Sequence, residues 1–338
     1  MADYSLLQLV FFFILNFIFI SHTLIPSDVL NQYKQFLNQY ERNYHNESDE
    51  YWTRFGIFRK SISMAHNLNK AHLNESKPVY GVTKFSDMSP EEFKKIYLED
   101  LQSPKWNLKE NNHTPMDRIK KLKIPQKVDW RLKGIISSVK NQKSCGACWA
   151  FSSVETIESM YSKEKGTAVP NLSVQEVIDC SVNNDGCLGG DTCQALLWLQ
   201  RGKPLVEQTS YPLTDKNQVC QILSSASLSV HVANYTCMHY VGDENNMLTM
   251  LATVGPLTVT VDATTWSNYV GGIIQYHCSA FNNHAVQIVG YDLTGDVPYY
   301  IVRNSWGTDF GDNGYLYIKI GENLCGIATR VSSLMVKV

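Results

Sequence analysis

No lysine or arginine precedes the apolar run from Leu6 to Ile20, so the positively charged start of a typical secretory signal is missing. The run, broken only by Gln8 and Asn16, is at the short end for a bilayer span. It suits the core of a signal peptide over residues 1–23, with Ser21 and Thr23 as small residues near cleavage; an uncleaved membrane anchor is the alternative. Strong charge is also absent. A net charge of -2 over 338 residues offers no electrostatic case for nucleic acid. The chain has no internal repeat, and no second C-x-x-C or paired histidine completes a four-ligand site beside Cys145 and Cys148, so no metal or cofactor is expected. Apolar residues are not scarce: at 44% they are ample for a packed core, and the length fits two domains or one with extensions.

Cysteine is plentiful. Nine of them in a secreted chain suggest four bridges and one remaining thiol. Glycosylation acceptors begin at Asn46, Asn74, Asn112, Asn171 and Asn234. Each triplet is common by chance; with the signal-like start they point to the secretory pathway, to a lysosome or the exterior, where thiols oxidise.

The region from Ser27 to about Asp100 is charged, helical in pattern and poor in cysteine, unlike everything after Val128. Tyr51, Phe55, Phe58 and Ile62 form an apolar stripe at helical spacing, and Ser89 to Tyr97 reads as a further helix. Residues Ser103 to Lys123 are polar and basic, an exposed linker where a protease would cut. After Cys148, the positions Ala150, Val154, Ile157 and Tyr161 repeat at helical spacing, which puts the thiol at the amino end of a buried helix. Beyond Gly255 the pattern alternates, predicting strands at Leu257–Val261, Val286–Tyr291, Tyr299–Val302 and Tyr315–Ile320. A helical first half and a stranded second half fit a two-lobed α+β protein.

The segment Asn141 to Phe151 carries Cys145-Gly146-Ala147-Cys148-Trp149. A thiol is only a few per cent ionised at neutral pH, and the thiolate is the nucleophile; a following helix and a nearby imidazolium both lower its pKa. The same C-x-x-C spacing also suits a redox pair. Asn283-His284-Ala285-Val286 lies at the entrance to a strand, where a lone histidine is usually ordinary packing, and Asn304-Ser305-Trp306-Gly307 alone would be a polar turn.

Taken in order, Gln142, the Cys145–Trp149 signature, His284 and Asn304–Gly307 resemble the papain and cathepsin family of cysteine proteases, whose cysteine motif is long established. The resemblance runs from about Ser27 to the end. Val177–Cys180, Gly271–Gln275 and Ile301–Gly307 point to one subfamily within it. It implies a papain-like two-lobed α+β fold with a helical N-terminal lobe, an antiparallel barrel-like C-terminal lobe and the active site in the cleft. It also implies an inhibitory propeptide over 24–123 and a peptidase over 124–338, opening with Pro125, Val128, Asp129 and Trp130. Glu50, Arg54, Phe58 and Asn69, then Gly81, Thr83, Phe85 and Asp87, match propeptide motifs, although Ser61 and Ala65 depart from the usual Asn and Ile.

By the same resemblance Cys148 is the nucleophile, His284 the acid and base, and Asn304 the residue that holds the imidazole under the cover of Trp306. Gln142 and the Cys148 backbone N–H are the oxyanion donors. The cycle is thiolate attack, protonation of the leaving amine, a thioester and its hydrolysis. Cys145–Cys187, Cys180–Cys220 and Cys278–Cys325 are the implied bridges. Cys193 and Cys237 fall outside the pattern, and parity suggests that they pair, with two buried thiols as the alternative.

Substrate contacts are expected from Gly146 and from Gly189 and Gly190, whose bare backbone pairs with an extended peptide. The neighbouring pocket is expected to be polar, lined by Asp191, Thr192, Thr260, Asn282 and Asn283 with Arg330 at its floor, favouring an acidic or hydrogen-bonding side chain. The alternative is that Arg330 points to solvent or is neutralised by Asp191. Expected partners are protein or peptide substrates, the chain's own propeptide and cystatin-like inhibitors, with the enzyme a monomer. The rival reading is a non-catalytic peptide-binding or inhibitory protein of the same fold, which would be expected to lack Cys148, His284 or Gln142.

Overall fold

The computed structural model describes residues 27–72, 77–98, 123–202, 204–221 and 228–337. The signal-like run, the acceptors Asn74 and Asn112 and almost all of the basic linker lie outside them. The chain divides after Ser61 into two compact units.

The first unit is an aromatic helix pair. Helices α1 (Ser27–Gln39) and α2 (Asp49–Asn69) both begin with acids in the first turn, where the positive end of the helix dipole favours them. Tyr33 lies with its ring centroid 5.2 Å from those of Tyr51 and Phe58, and Phe36 lies 5.0 Å from Phe58. The predicted stripe of Tyr51, Phe55 and Phe58 is therefore the packing face.

In the second unit α2 ends at Asn69, whose side chain accepts the N–H of Val79 and of Tyr80 and donates to the carbonyl of Tyr80. The strap so held pairs Val79 with Val270 and Gly81 with Asn268. Helix α3 (Pro90–Tyr97) starts from a capping box in which Ser89 and Glu92 satisfy each other's backbone N–H.

The remainder has two hydrophobic cores. One is built on helices α4 (Cys148–Lys165), α5 (Val174–Cys180) and α6 (Thr192–Arg201), with Trp149, Phe151, Val154 and Ile157 buried among Val177, Leu196 and Leu199. The other belongs to the sheet and α7 (Glu244–Thr253). Strands β1 (Lys127–Asp129), β2 (Leu205–Val206), β3 (Ser229–Met238), β4 (Leu257–Val261), β5 (Ile273–Ile274), β6 (His284–Asp292), β7 (Tyr299–Arg303), β8 (Tyr315–Lys319) and β9 (Val331–Lys337) make one sheet. Its order is β2-β3-β9-β4-β6-β7-β8-β5, with β1 also on β6; the pairing is antiparallel except between β5 and β8. The sheet runs open from β2 to β5 and does not close into a barrel by hydrogen bonding. All four strands predicted from alternation are present. The long pair β3 and β9 carries the ends of both cores: Val331 faces one, Val232, Leu334 and Val336 the other. Among the described residues no helix is long and apolar enough to cross a membrane.

Candidate active site

Cys148 opens α4 as predicted, and the helix starts without a side-chain cap at Ala147. The positive end of the helix dipole there favours an anion. Cys148 is the one described cysteine outside a disulfide and is fully buried. Its Sγ accepts the backbone N–H of Ala285 at 3.3 Å, which sets the sulfur against the first residues of β6.

His284 is the first residue of that strand and is buried. Its Nε2 lies 2.8 Å from Asn304 Oδ1. The same oxygen accepts the N–H of Ser305 at 2.8 Å, so the acceptor is the amide carbonyl and the proton sits on Nε2. Nδ1 is then the basic nitrogen; it makes no hydrogen bond. Burial pushes the imidazole pKa down to about 4, opposed by the bond to Asn304.

Trp306 lies over the ring at 4.7 Å between centroids, and Trp266 closes its edge at 5.9 Å. Phe85, Phe93 and Tyr97 pack on Trp306 at 5.6, 5.4 and 5.6 Å, so the propeptide-like segment covers the tryptophan that shields the His284–Asn304 bond. Lys84 fastens the contact, donating to the carbonyl of Trp306 and pairing with Asp309 at 2.7 Å.

Gln142 is buried beside these groups. Its N–H donates to the carbonyl of Ser305, its Oε1 accepts from Ser305 Oγ at 2.6 Å, and its Nε2 donates to the carbonyl of Cys145 at 3.0 Å. Ser305 thereby holds the amide with its N–H side towards the Cys145–Cys148 turn. One of its two N–H bonds is spent on Cys145, which leaves one for an oxyanion.

All four bridges are present: Cys145–Cys187, Cys180–Cys220, Cys278–Cys325 and Cys193–Cys237. The last one joins α6 to β3, and Ser332 Oγ of β9 lies 3.5 Å from each of its sulfurs. Asn46, Asn171 and Asn234 are exposed.

The expected substrate residues divide. Gly146 donates its N–H to the carbonyl of Cys187, fastening the two loops of the near wall. Gly189 has φ +131° and uses both its N–H and its carbonyl within its own loop. A Cβ on Gly190 would meet the Trp149 ring at 2.5 Å, so only glycine fits there. Asp191 caps α6 through Oδ1 and pairs through Oδ2 with Arg330 Nη1 at 2.6 Å. The carbonyl of Arg330 accepts the N–H of Thr260, whose hydroxyl accepts from Asn282. Asp191, Arg330, Thr260 and Asn282 thus form one connected group, with Thr192 buried behind it. Arg330 meets the alternative stated for it: the adjacent carboxylate of Asp191 offsets its charge. One expectation changes. Asn283 does not line the pocket: its side chain is bound to Ala263, Asp262 and Thr264, bracing the loop ahead of His284.

Trp266, Ser305 and the Ala285 N–H were not picked out from sequence. Trp266 follows β4 in a loop with no periodic signal, and Ser305 stood inside a motif whose neighbours carried the roles.

A buried thiol at a helix start, an imidazole held by an amide, and a glutamine at the same turn, all under a helical strap, define a thiol protease in precursor form. The chain belongs to the papain family: the papain family cysteine protease pattern matches residues 124–335, and the cathepsin propeptide inhibitor domain (I29) matches 33–93. It is similar to cathepsin O of Homo sapiens, 44% identical over 284 residues (82% of this chain, 87% of that protein), and to cathepsin O of Mus musculus, 42% identical over 280 residues (82% and 88%). Among solved structures it is similar to digestive procathepsin L2 of Tenebrio molitor, with a TM-score of 0.80 and 32% identity over 91% of this chain and 99% of that one. The chain is therefore a cathepsin-like cysteine endopeptidase carrying its own inhibitory propeptide domain.

Proposed function

We propose that Cys148 attacks the peptide carbonyl as a thiolate, with His284 taking its proton through Nδ1 and later giving it to the leaving amine. The thioester is then hydrolysed by water that His284 activates. The observation that carries this reading is the convergence of Cys148 Sγ on Ala285 N–H with the His284–Asn304 bond one residue away. The remaining N–H of Gln142 and the Cys148 backbone N–H are the oxyanion donors, one donor being worth about 3 kcal/mol.

Latency follows from burial. With Cys148 and His284 both inaccessible, neither reaches substrate in this form. We assign residues 1–23 to a signal peptide, 24–123 to the propeptide and 124–338 to the mature enzyme, a glycosylated monomer of the lysosome or the exterior, open to cystatin-like inhibitors. Protein or peptide substrates lie along Gly146 and Gly190, and the Asp191–Arg330 pair favours a neutral hydrogen-bonding side chain over leucine or phenylalanine.

The test is labelling of acid-treated protein with a thiol-reactive epoxide. Labelling confined to Cys148 and lost in His284→Ala is expected; a folded protein that does not label would overturn the assignment.

A further inference from the structure

Below Cys148, α4 is polar on the face it turns to the sheet. Ser152, Glu155, Thr156 and Ser159 follow Cys148 at helical spacing, and all are buried. Thr258 of β4 donates to the carbonyl of Ser152 and meets Thr156 Oγ1 at 2.8 Å. Gln287 of β6 donates to Ser159 Oγ at 3.0 Å and accepts from Arg303 Nη1 at 3.3 Å. Arg303 Nη2 lies 3.3 Å from Glu155 Oε1, with side chains 0% and 1% exposed.

The positions in the chain give this contact its interest. Glu155 shares its helix with Cys148; Arg303 ends β7 and immediately precedes Asn304; Gln287 stands three residues after His284 on β6. Four charges meet here. Glu158 is already matched by Lys140 at 3.0 Å and by the Ser137 hydroxyl and Leu172 N–H. Glu155 is thus the counter-charge of Arg303, whose other contacts are Gln287, Ser137 and the carbonyl of Ser138, with Tyr315 of β8 the remaining titratable neighbour. Burial raises the Glu155 carboxyl to about 7, with Arg303 opposing. Dry ion pairs seldom add stability over apolar side chains of the same size, and their best-attested use is to specify register.

We propose that Glu155 is a positioning residue for peptide hydrolysis: through Arg303 it sets the register of the nucleophile's helix against the strands that carry His284 and Asn304. The inference rests on the assignment of Cys148 and His284 given above.

Glu155→Gln keeps the shape and removes the charge. In acid-activated protein assayed above pH 7, where the Glu155 carboxyl is ionised, it is expected to lower kcat by about ten- to a hundredfold, as a misplacement of the order of 1 Å does, with KM within about twofold. The alkaline limb of the pH profile, and of the rate of thiol alkylation, moves to lower pH because a guanidinium left uncompensated beside Asn304 disfavours the imidazolium. The double variant Glu155→Leu/Arg303→Met removes both members of this pair, leaving Glu158 matched by Lys140, and is expected to fold with an equal or higher Tm yet to show the same loss of kcat, so it decides the matter should the single variant not fold. Unchanged kcat and pH profile in either folded variant overturns the proposal, as does a loss that tracks Tm alone with the pH profile unmoved. Wild-type protein that does not label at Cys148 indicts the underlying assignment instead.

Discussion

The Nε2–H of His284 donates to Asn304 Oδ1 at 2.8 Å, and that oxygen also takes the N–H of Ser305, so the amide cannot turn over without losing both bonds. A tautomer is thereby written into the backbone: the strand that ends at Arg303 delivers Asn304, and Trp306 keeps water from the bond.

Asn304→Ala leaves two buried N–H groups, of His284 and Ser305, without their acceptor, which costs about 1–3 kcal/mol for each and releases the ring. A fall in kcat/KM of about ten- to a hundredfold against a peptide substrate is expected. Undiminished kcat/KM would show that the ring is oriented by its packing alone.

Acidity works on the closed precursor through His284. Its folded pKa of about 4 lies below the ordinary 6.5, so between those values the unfolded chain takes up a proton and the folded one does not. Stability from this group is full above pH 6.5 and falls by on the order of 3 kcal/mol as the pH drops to 4. Glu155 acts in the opposite sense: raised from 4.5 to about 7, it gives stability that is full below 4.5 and lost as pH rises through 7. Comparing Tm at pH 7 and pH 4.5 in wild type and His284→Gln isolates the histidine. The wild-type precursor is expected to lose more Tm on acidification, and parallel losses would refute the assignment.

Asn69 holds the strap by three bonds to Val79 and Tyr80, and the strap holds Asn268 and Val270. Removing them in Asn69→Ala is expected to speed the labelling of Cys148 in the uncleaved precursor at neutral pH by at least about fivefold, the equivalent of one buried hydrogen bond. Labelling as slow as in wild type would mean that the aromatic contacts on Trp306 suffice.

Asp191→Ser keeps a side-chain oxygen for the cap of α6 and frees Arg330. Cleavage of a peptide with glutamate in this pocket should then rise against its leucine counterpart by about tenfold, a typical gain from one charge-assisted bond. Arg330→Ala leaves the carboxylate behind and shifts the ratio the other way. Equal ratios in all three proteins would put the pair outside the pocket.

Local order made much of this legible in advance. Cys148 with Ala150, Val154 and Ile157 announces a buried helix because 3.6-residue periodicity survives in the sequence, and β4, β6, β7 and β8 read as strands from short runs rich in β-branched and aromatic residues, β8 alternating in burial and β4 and β6 buried along their whole length. The strands β3 and β9 were not legible, since they cross from one core to the other and their inward side changes along the way. Trp266 and Ser305 were missed for a related reason: each acts through a partner distant in the chain, His284 and Gln142, and leaves no local pattern.

By itself the sequence determined the reaction class, nominated Gln142, Cys148, His284 and Asn304 as its candidate residues, and separated a propeptide-like region from a peptidase region. These rest on short motifs that resemble those of the papain family, each a local run of residue types that the sequence displays directly. Only the tertiary structure decided that Cys193 meets Cys237, that Asp191 offsets Arg330, that Asn283 braces a loop and that Glu155 faces Arg303. Each is a pairing across long stretches of chain, and charge balance or bond formation there is set by which surfaces folding brings together.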